Sequence, residues 1–579
     1  MSAVPHPPLP RSAARRIARL SEIRQHYDPS STSEKLALVG ALAGMPISRS
    51  KLLLTYHELL LFLRAYPDSP ALLKTVRAQL RSFARRVATL RSEDPEEAEQ
   101  LDDTGIAETT TRYWYDLATV EWLVRWHGDA LEIDWEEFEH SERLDALLPL
   151  LTEWAESDGL DLAPLSTAEW VALACGETSG GNDLRWLLAR IRRLGGGHRL
   201  QRVLFDGLEL PLRWDLGRSH ASRTLAEPGH PAPYFHSDGL LRRVDDFESE
   251  IRRPLPRMAP LARRDGVRLI RTLRCALAVR HRALYPVEYA SPDDVLVAEC
   301  ARGYQLVLYG MFPAYRLPLE SDYGALILKN GQIIGYGVGA LLFEQVEIAV
   351  NIFPSWRGGE SVFVFSQFMR AFHQHFGSTR FKIERYQIGY ENEEGISSGA
   401  FWFYHKLGFV PECAEIRELA EAELKHRRRQ PGYRSSKTIL RRLALSDMTF
   451  SLDDEPAEPP SSFPLAELAL GTTRMIGQRF GGDRTQARRI CRDELAHALR
   501  CPGWRSWPAP ERTSFERFAP LLTRIPRLSA WSAAERRKLI ALVRAKGLPD
   551  ETAFVHRLRS HQRLRKALVA LAEEEAGRT

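Results

Sequence analysis

The sequence predicts an α/β (α+β) protein whose mixed sheet is flanked by largely helical N-terminal and C-terminal domains. After residue 300 the chain holds a series of short runs rich in β-branched and aromatic residues: YQLVLYG, YGALILK, QIIGYGVGALL, EQVEIAVNIF, RFKIERYQIG, GFVPE and KTILRRLAL. Asn330-Gly331 separates two of them, a hairpin signal because both turn positions need positive φ. On either side, about 30–230 and 465 onward, the periodicity is helical.

At 579 residues the chain exceeds what one core can hold. The expected organisation is a disordered tail (1–30), a helical domain (31–285), the sheet domain (286–445), a linker (446–464) and a basic helical domain (465–579). Ser69-Pro70 is an N-cap and first-turn pair, and Ser31/Glu34, Ser166/Glu169 and Ser532/Glu535 have capping-box spacing. RSEDPEEAEQLDD (91–103) reads as an acidic loop, and a further helix is expected over roughly 262–283. Two helices are expected to interrupt the strands, at about 361–376 and 398–407. The first carries Phe365, Phe368, Phe372 and Phe376 on one face. LSDMTFSLDDEPAEPPSSFP (445–464) is acidic and Pro/Ser-rich, the composition of a linker.

Hydrophobic content of 44% and charged content of 27% are those of a soluble globular protein. A net charge of +5 does not by itself imply nucleic acid. The six cysteines are scattered with no C-x-x-C pair, which excludes a disulfide framework and a zinc ribbon. No metal-ligand pattern is present: His57-Glu58 lacks the second His of H-E-x-x-H, and His373 and His375 do not share a helix face. No apolar run reaches the roughly 18 residues of a spanning helix, so a cytoplasmic protein without a membrane partner is expected. Gly335-x-Gly337 lies in a strand rather than opening a helix, so it reads as close packing instead of a dinucleotide loop.

The most informative stretch is Tyr386–Glu412, YQIGYENEEGISSGAFWFYHKLGFVPE, read as strand, polar turn, aromatic helix and strand. It resembles the end of the GNAT acyltransferase core, with Asn392, Ala400, Tyr404, Gly408 and Phe409 at the matching places. The resemblance covers about residues 300–445 and implies acetyl-CoA or another acyl-CoA as acyl donor and an amine as acceptor. Tyr404 then resembles the family's general acid, which protonates the departing thiolate. Asn392 resembles the Asn that contacts the cofactor arm.

Other residues extend the site. In EQVEIAVNIF, alternation puts Glu347, Ala349 and Asn351 on one strand face, and Glu347 is the candidate general base. A solvated or ion-paired Glu347, a half-buried core Tyr404 and a turn-forming Asn392 are the structural alternatives. Asn351–Ser361, NIFPSWRGGES, joins a strand to a helix. Gly358, Gly359 and Ser361 would let the backbone approach a pyrophosphate at the helix N-terminus, with Arg357 adding a charged contact. A plain tight turn is the other reading of that loop. Family members read Arg/Gln-x-x-Gly-x-Gly/Ala here, and Glu360 breaks the pattern. MFPAYRLPLESDY (311–323) is also too short for the helices that usually cover the acceptor.

Three readings follow. The first is an acyl-CoA-dependent N-acyltransferase, and the second a GNAT-like platform without catalysis. The third is a basic helical protein associated with nucleic acid through its C-terminal region, although a solvated surface accounts for those charges too.

Overall fold

The computed structural model describes residues 12–577 except 177–181, 228–231, 283–284, 431 and 454–462. It is a mixed α/β protein built on a nine-stranded sheet. A separate three-stranded sheet has β1 (Thr110–Trp114), β3 (Pro211–Asp215) and β2 (Leu131–Ile133), in that order. The large sheet comprises β4 (Arg257–Pro260), β5 (Ala290–Glu299), β6 (Tyr304–Met311), β7 (Ser321–Lys329), β8 (Gln332–Leu342), β9 (Gln345–Ile352), β10 (Arg380–Ile383), β11 (Val410–Pro411) and β12 (Met448–Ser451). Its order is β11-β12-β10-β9-β8-β7-β6-β5-β4, and only β9 and β10 pair in parallel. A parallel pair needs a crossover, which the Ser361–Phe376 helix supplies.

That helix starts and ends where the sequence places it, and Phe365, Phe368, Phe372 and Phe376 are all buried. The β8 glycines make the seat. A Cβ on Gly337 would stand 2.6 Å from the Phe368 ring, and one on Gly339 2.4 Å from Phe372. The Gly335-x-Gly337 run is therefore a packing device, as its strand setting suggests.

Three hydrophobic cores divide the chain. Helices Ala13–Ile23, Pro29–Leu42, Ser50–Ala65 and Pro70–Glu93 share one continuous core with the large sheet. Residues from Tyr115 to Ala221, joined by the end of the Arg263–Ala278 helix, form a second around the small sheet. The C-terminal helices form a third, into which the sheet projects Leu319, Leu342 and Phe343. The stretch 31–285 thus feeds two cores rather than one.

Several local expectations are corrected. Residues 1–30 are not all tail, because Ala13–Ile23 is a helix with Ile17, Leu20 and Ile23 buried; residues 1–11 lie outside the described part. Asp28, not Ser31, caps the next helix, since Pro29 fits its first turn. The acidic 91–103 stretch contains the short helix Pro95–Glu99. β5 precedes residue 300, where the strand series was expected to begin, its Pro and Asp residues absorbed by a register shift between Ala290 and Val295. KTILRRLAL is a helix (Lys437–Leu443) that Ser436 caps. The strand expected there is β12, inside the supposed linker, where a short edge strand needs little alternation. The Ser69 cap and the Ser166/Glu169 box form as read, while at Ser532 the side chain caps Glu535 N without the reciprocal bond. Among the described residues no helix is long and apolar enough to cross a membrane.

The β7–β8 turn has φ of 49° at Asn330 and 75° at Gly331, the expected hairpin geometry. The Asn330 side chain is buried as well. Its Nδ2 donates to Ala65 O (2.8 Å) and Tyr234 O (2.9 Å), and its Oδ1 accepts from Tyr234 N (2.7 Å). One turn residue therefore ties sheet, N-terminal helices and a connecting segment together. Asn330→Ala should cost about 2–4 kcal/mol in urea unfolding, because buried backbone groups lose their partners and the left-handed backbone is strained. Asn330→Gly should recover only the backbone part, about 1 kcal/mol.

Candidate functional site

β9 and β10 begin side by side and then part. Their pairing runs through Arg380↔Gln345, Phe381↔Val346 and Lys382↔Glu347 and stops there. β10 ends at Ile383, and Glu384 caps a short helix, Arg385–Ile388, that turns the chain away. RFKIERYQIG is thus strand and helix, not one strand. β9 continues to Ile352, paired with β8 on one side and with no strand on the other. The result is a wedge-shaped gap bordered by an unpaired strand edge.

The loop closing this gap leads into the Ser361–Phe376 helix. Arg357 Nε donates to Ile352 O (3.0 Å), and its guanidinium pairs with Glu394 (2.6 Å) across the mouth of the gap. Gly358 has φ of 80° and is exposed. Gly359 is required for a reason the sequence does not show: a Cβ there would stand 2.7 Å from the Tyr66 hydroxyl. Ser361 opens the helix half-exposed.

Glu360 points inward, away from the loop surface. Its buried carboxylate accepts from Arg302 Nε (2.6 Å) and Leu241 N (2.8 Å) and lies 3.5 Å from Lys329 Nζ. Lys329 sits among three aromatic rings, 4.3 Å from the centroid of Tyr304, 5.0 Å from Tyr66 and 5.1 Å from Tyr234. Burial pulls its pKa down to about 7, with Glu360 opposing the shift. The carboxylate that breaks the expected phosphate-loop pattern is therefore neutralised inside the protein, and leaves the helix N-terminus clear.

Beside that N-terminus opens a cavity of about 810 Å³. Val362 of the helix, Ile396 to Gly399 at the end of the Glu393–Ser398 helix, and Trp402, Phe403 and Leu407 line it. Arg242, Arg243, Lys406, Arg427, Arg434 and Lys437 stand around it, and among the described residues no Asp or Glu lines it. Arg427 stacks on Trp402 (4.5 Å to the ring centroid), whose Nε1 donates to Ser435 Oγ (3.2 Å). Ser435 in turn donates to Glu423 (2.7 Å), which fixes the cavity's outer wall.

The proposed acid and base lie on different faces. Val346 faces the Ser361–Phe376 helix, since a Cβ on Gly339 would meet both Val346 and Phe372. Glu347 therefore points to the opposite face, with Ala349 and Asn351. That face is half-exposed at Tyr336, Val338, Ala340, Ala349 and Asn351. Only the Pro313–Tyr315 turn stands in the 311–323 segment, so no helix from it covers this face. Glu347 is 3.2 Å from Lys382 Nζ, which also pairs with Asp447 (2.7 Å). Tyr404 is buried against Phe365, Phe403 and Phe409, at ring-centroid distances of 5.5, 5.3 and 5.8 Å. Burial pushes its pKa up to about 12, so it keeps its proton at neutral pH. The structure thus sets Glu347 on one face of the sheet and Tyr404 in the aromatic core on the other.

Asn392 is spent locally. Its Oδ1 caps the Glu393–Ser398 helix by accepting from Gly395 N (3.2 Å), and its Nδ2 donates to Tyr386 O (2.9 Å).

No protein-family model, curated protein or solved structure matches this chain. The site must be read from its own geometry. Its six cations escape a motif search because three separate segments supply them, although the acid-free run from Lys425 to Arg442 is visible in the sequence.

Glu360→Gln should cost about 3–5 kcal/mol, because Arg302 and Lys329 stay buried without a counter-charge. Unfolding returns Lys329 from about 7 to 10.5, so the unfolded chain binds the extra proton and stability rises with pH across that window. Lys329→Met should flatten that slope in denaturation measured from neutral to alkaline pH.

Proposed function

We propose that the protein is an acyl-CoA-dependent N-acyltransferase of GNAT-like design, moving an acyl group from acetyl-CoA or a longer acyl-CoA to an amine. The observation that carries this reading is the parallel β9–β10 pair that separates after Glu347 beside a clear helix N-terminus. An extended pantetheine arm needs amide partners, and the unpaired β9 edge offers them. Its phosphates need positive charge, and the basic cavity next to Val362 supplies it. Arg427, Arg434, Lys406 and Lys437 would hold the phosphate end, with Arg242 and Arg243 closing over it.

Glu347, on the open face, takes a proton from the amine as its nitrogen attacks the thioester carbonyl. Lys382 must release or share that carboxylate for the transfer. As the carbon–sulfur bond breaks, Tyr404 gives its phenolic proton to the departing thiolate. Burial keeps Tyr404 protonated at neutral pH, so its proton is in place when the thiolate departs. The half-exposed face over Val338 and Ala349 admits an acceptor without an intervening helix.

A second reading, a GNAT-like platform that binds without turnover, is favoured by the Lys382–Glu347 ion pair and by the local use of Asn392. Calorimetry with acetyl-CoA and longer acyl-CoAs separates the cases. Absence of heat at millimolar ligand overturns the transferase and leaves the platform; binding with no acyl transfer to any amine does the same. For a working transferase, Arg427→Gln with Arg434→Gln should weaken binding by about tenfold or more. Glu347→Gln should lower kcat/KM about 10²–10⁴-fold, and Tyr404→Phe should lower kcat with little change in affinity.

A further inference from the structure

β11 and β12 are antiparallel neighbours, which a short turn can join. Here residues 412–447 intervene and form two helices, Ala414–Arg429 and Lys437–Leu443, packed against each other. From Lys425 to Arg442 this excursion carries eight Lys and Arg residues and no Asp or Glu. With a net charge of only +5 for the whole chain, everything outside those residues is net negative.

Ordinary explanations do not absorb this charge. A helix dipole favours a cation in the last turn, yet His426, Arg427, Arg428 and Arg429 crowd into one. Of the eight cations, only Lys437 and Arg441 have an ion-pair partner among the described residues, and both use Glu393. The C-terminal region is mixed. There Arg474 pairs with Glu575, Arg479 with Glu494, Arg492 with Glu516 and Arg544 with Glu511. Other cations there, such as Arg488, Arg537 and Arg557, are exposed without an ion-pair partner among the described residues, but they are spread over three helices, whereas the excursion gathers its cations in one acid-free stretch.

We propose that this excursion is a docking surface for the phosphate backbone of a nucleic acid, contiguous with the candidate site and independent of the transferase reading. Six of the eight cations are Arg, whose planar fork matches phosphate oxygens. Arg427, Arg434 and Lys437 face the cavity, while Lys425, Arg428, Arg429 and Arg442 are exposed beyond those lining it. The surface therefore extends past a single small ligand. Among the described residues of the excursion Leu445 alone is an exposed large apolar side chain, too little to insert into lipid. Trp402 is buried under Arg427, which removes it as a stacking platform. Recognition is accordingly of phosphates rather than bases, and tolerant of sequence.

Fluorescence anisotropy of the full chain with labelled single-stranded and duplex RNA, across a salt series, tests this. Log affinity should fall linearly with log salt, by about 0.7 per phosphate contacted on a single strand. A triple variant, Arg428→Gln, Arg429→Gln and Arg442→Gln, should flatten that slope by roughly 2 and weaken low-salt binding. Its thermal midpoint and acetyl-CoA affinity should match those of the parent, which keeps this outcome separate from the transferase proposal. The proposal is overturned if RNA fails to bind at low salt, or if the triple variant retains the parental slope. It is also overturned if Arg488→Gln with Arg489→Gln, in the C-terminal region, removes binding instead. Phosphatidylserine vesicles that bind more tightly than RNA through the same three arginines would assign the surface to lipid and likewise overturn it.

Discussion

The buried contact of Glu360 with Arg302 and Lys329 is the constraint on which the rest of the site depends. Glu360 ends the loop after β9 and begins the crossover helix, so its direction decides what that helix presents. Turned inward, it joins β7 through Lys329, the β5–β6 turn through Arg302, and the connecting segment through Leu241. Three aromatic rings from different parts of the chain complete the enclosure. A buried ion pair is weak evidence for stability, since desolvation offsets most of the attraction. Its value here is directional. The carboxylate has one low-energy place to go, and going there clears the helix N-terminus.

The same principle of enforced geometry runs through β8. Its glycines have no side chains to hold the crossover helix away, so Phe368 and Phe372 descend onto the strand backbone. Close approach of that helix fixes the height of its N-terminus above the β9–β10 gap. Gly359 belongs to this arrangement as well, because the Tyr66 hydroxyl occupies the space a side chain would take.

Much of the fold was legible in the sequence. The strand series, the Asn330-Gly331 hairpin, the bounds of the Ser361–Phe376 helix and the alternation of β9 are all local patterns with a single physical reading. What escaped reading depends on distant partners. Met448–Ser451 looks like linker until β10 and β11 pair with it, and KTIL has strand composition until Ser436 caps it as helix. In the candidate site, Glu347, Tyr404 and the loop are proposed from residue types at spacings. The direction of Glu360, the local duties of Asn392 and the convergence of Arg242, Lys406 and Arg427 on one cavity are tertiary facts. No spacing rule encodes them.

The parting of β9 and β10 also has a mechanical meaning. Seven of the eight ladders in the sheet are antiparallel, but the sheet as a whole is continuous only through three residue pairs at the one parallel seam. On one side lies the broad plate from β4 to β9; on the other, the small plate of β10, β12 and β11 carries the arginine-rich helices. The crossover helix is the splint between them. A small rotation of one plate about this short seam changes the width of the gap while leaving every other ladder intact, so the fold confines its compliance to the place where a ligand would be gripped.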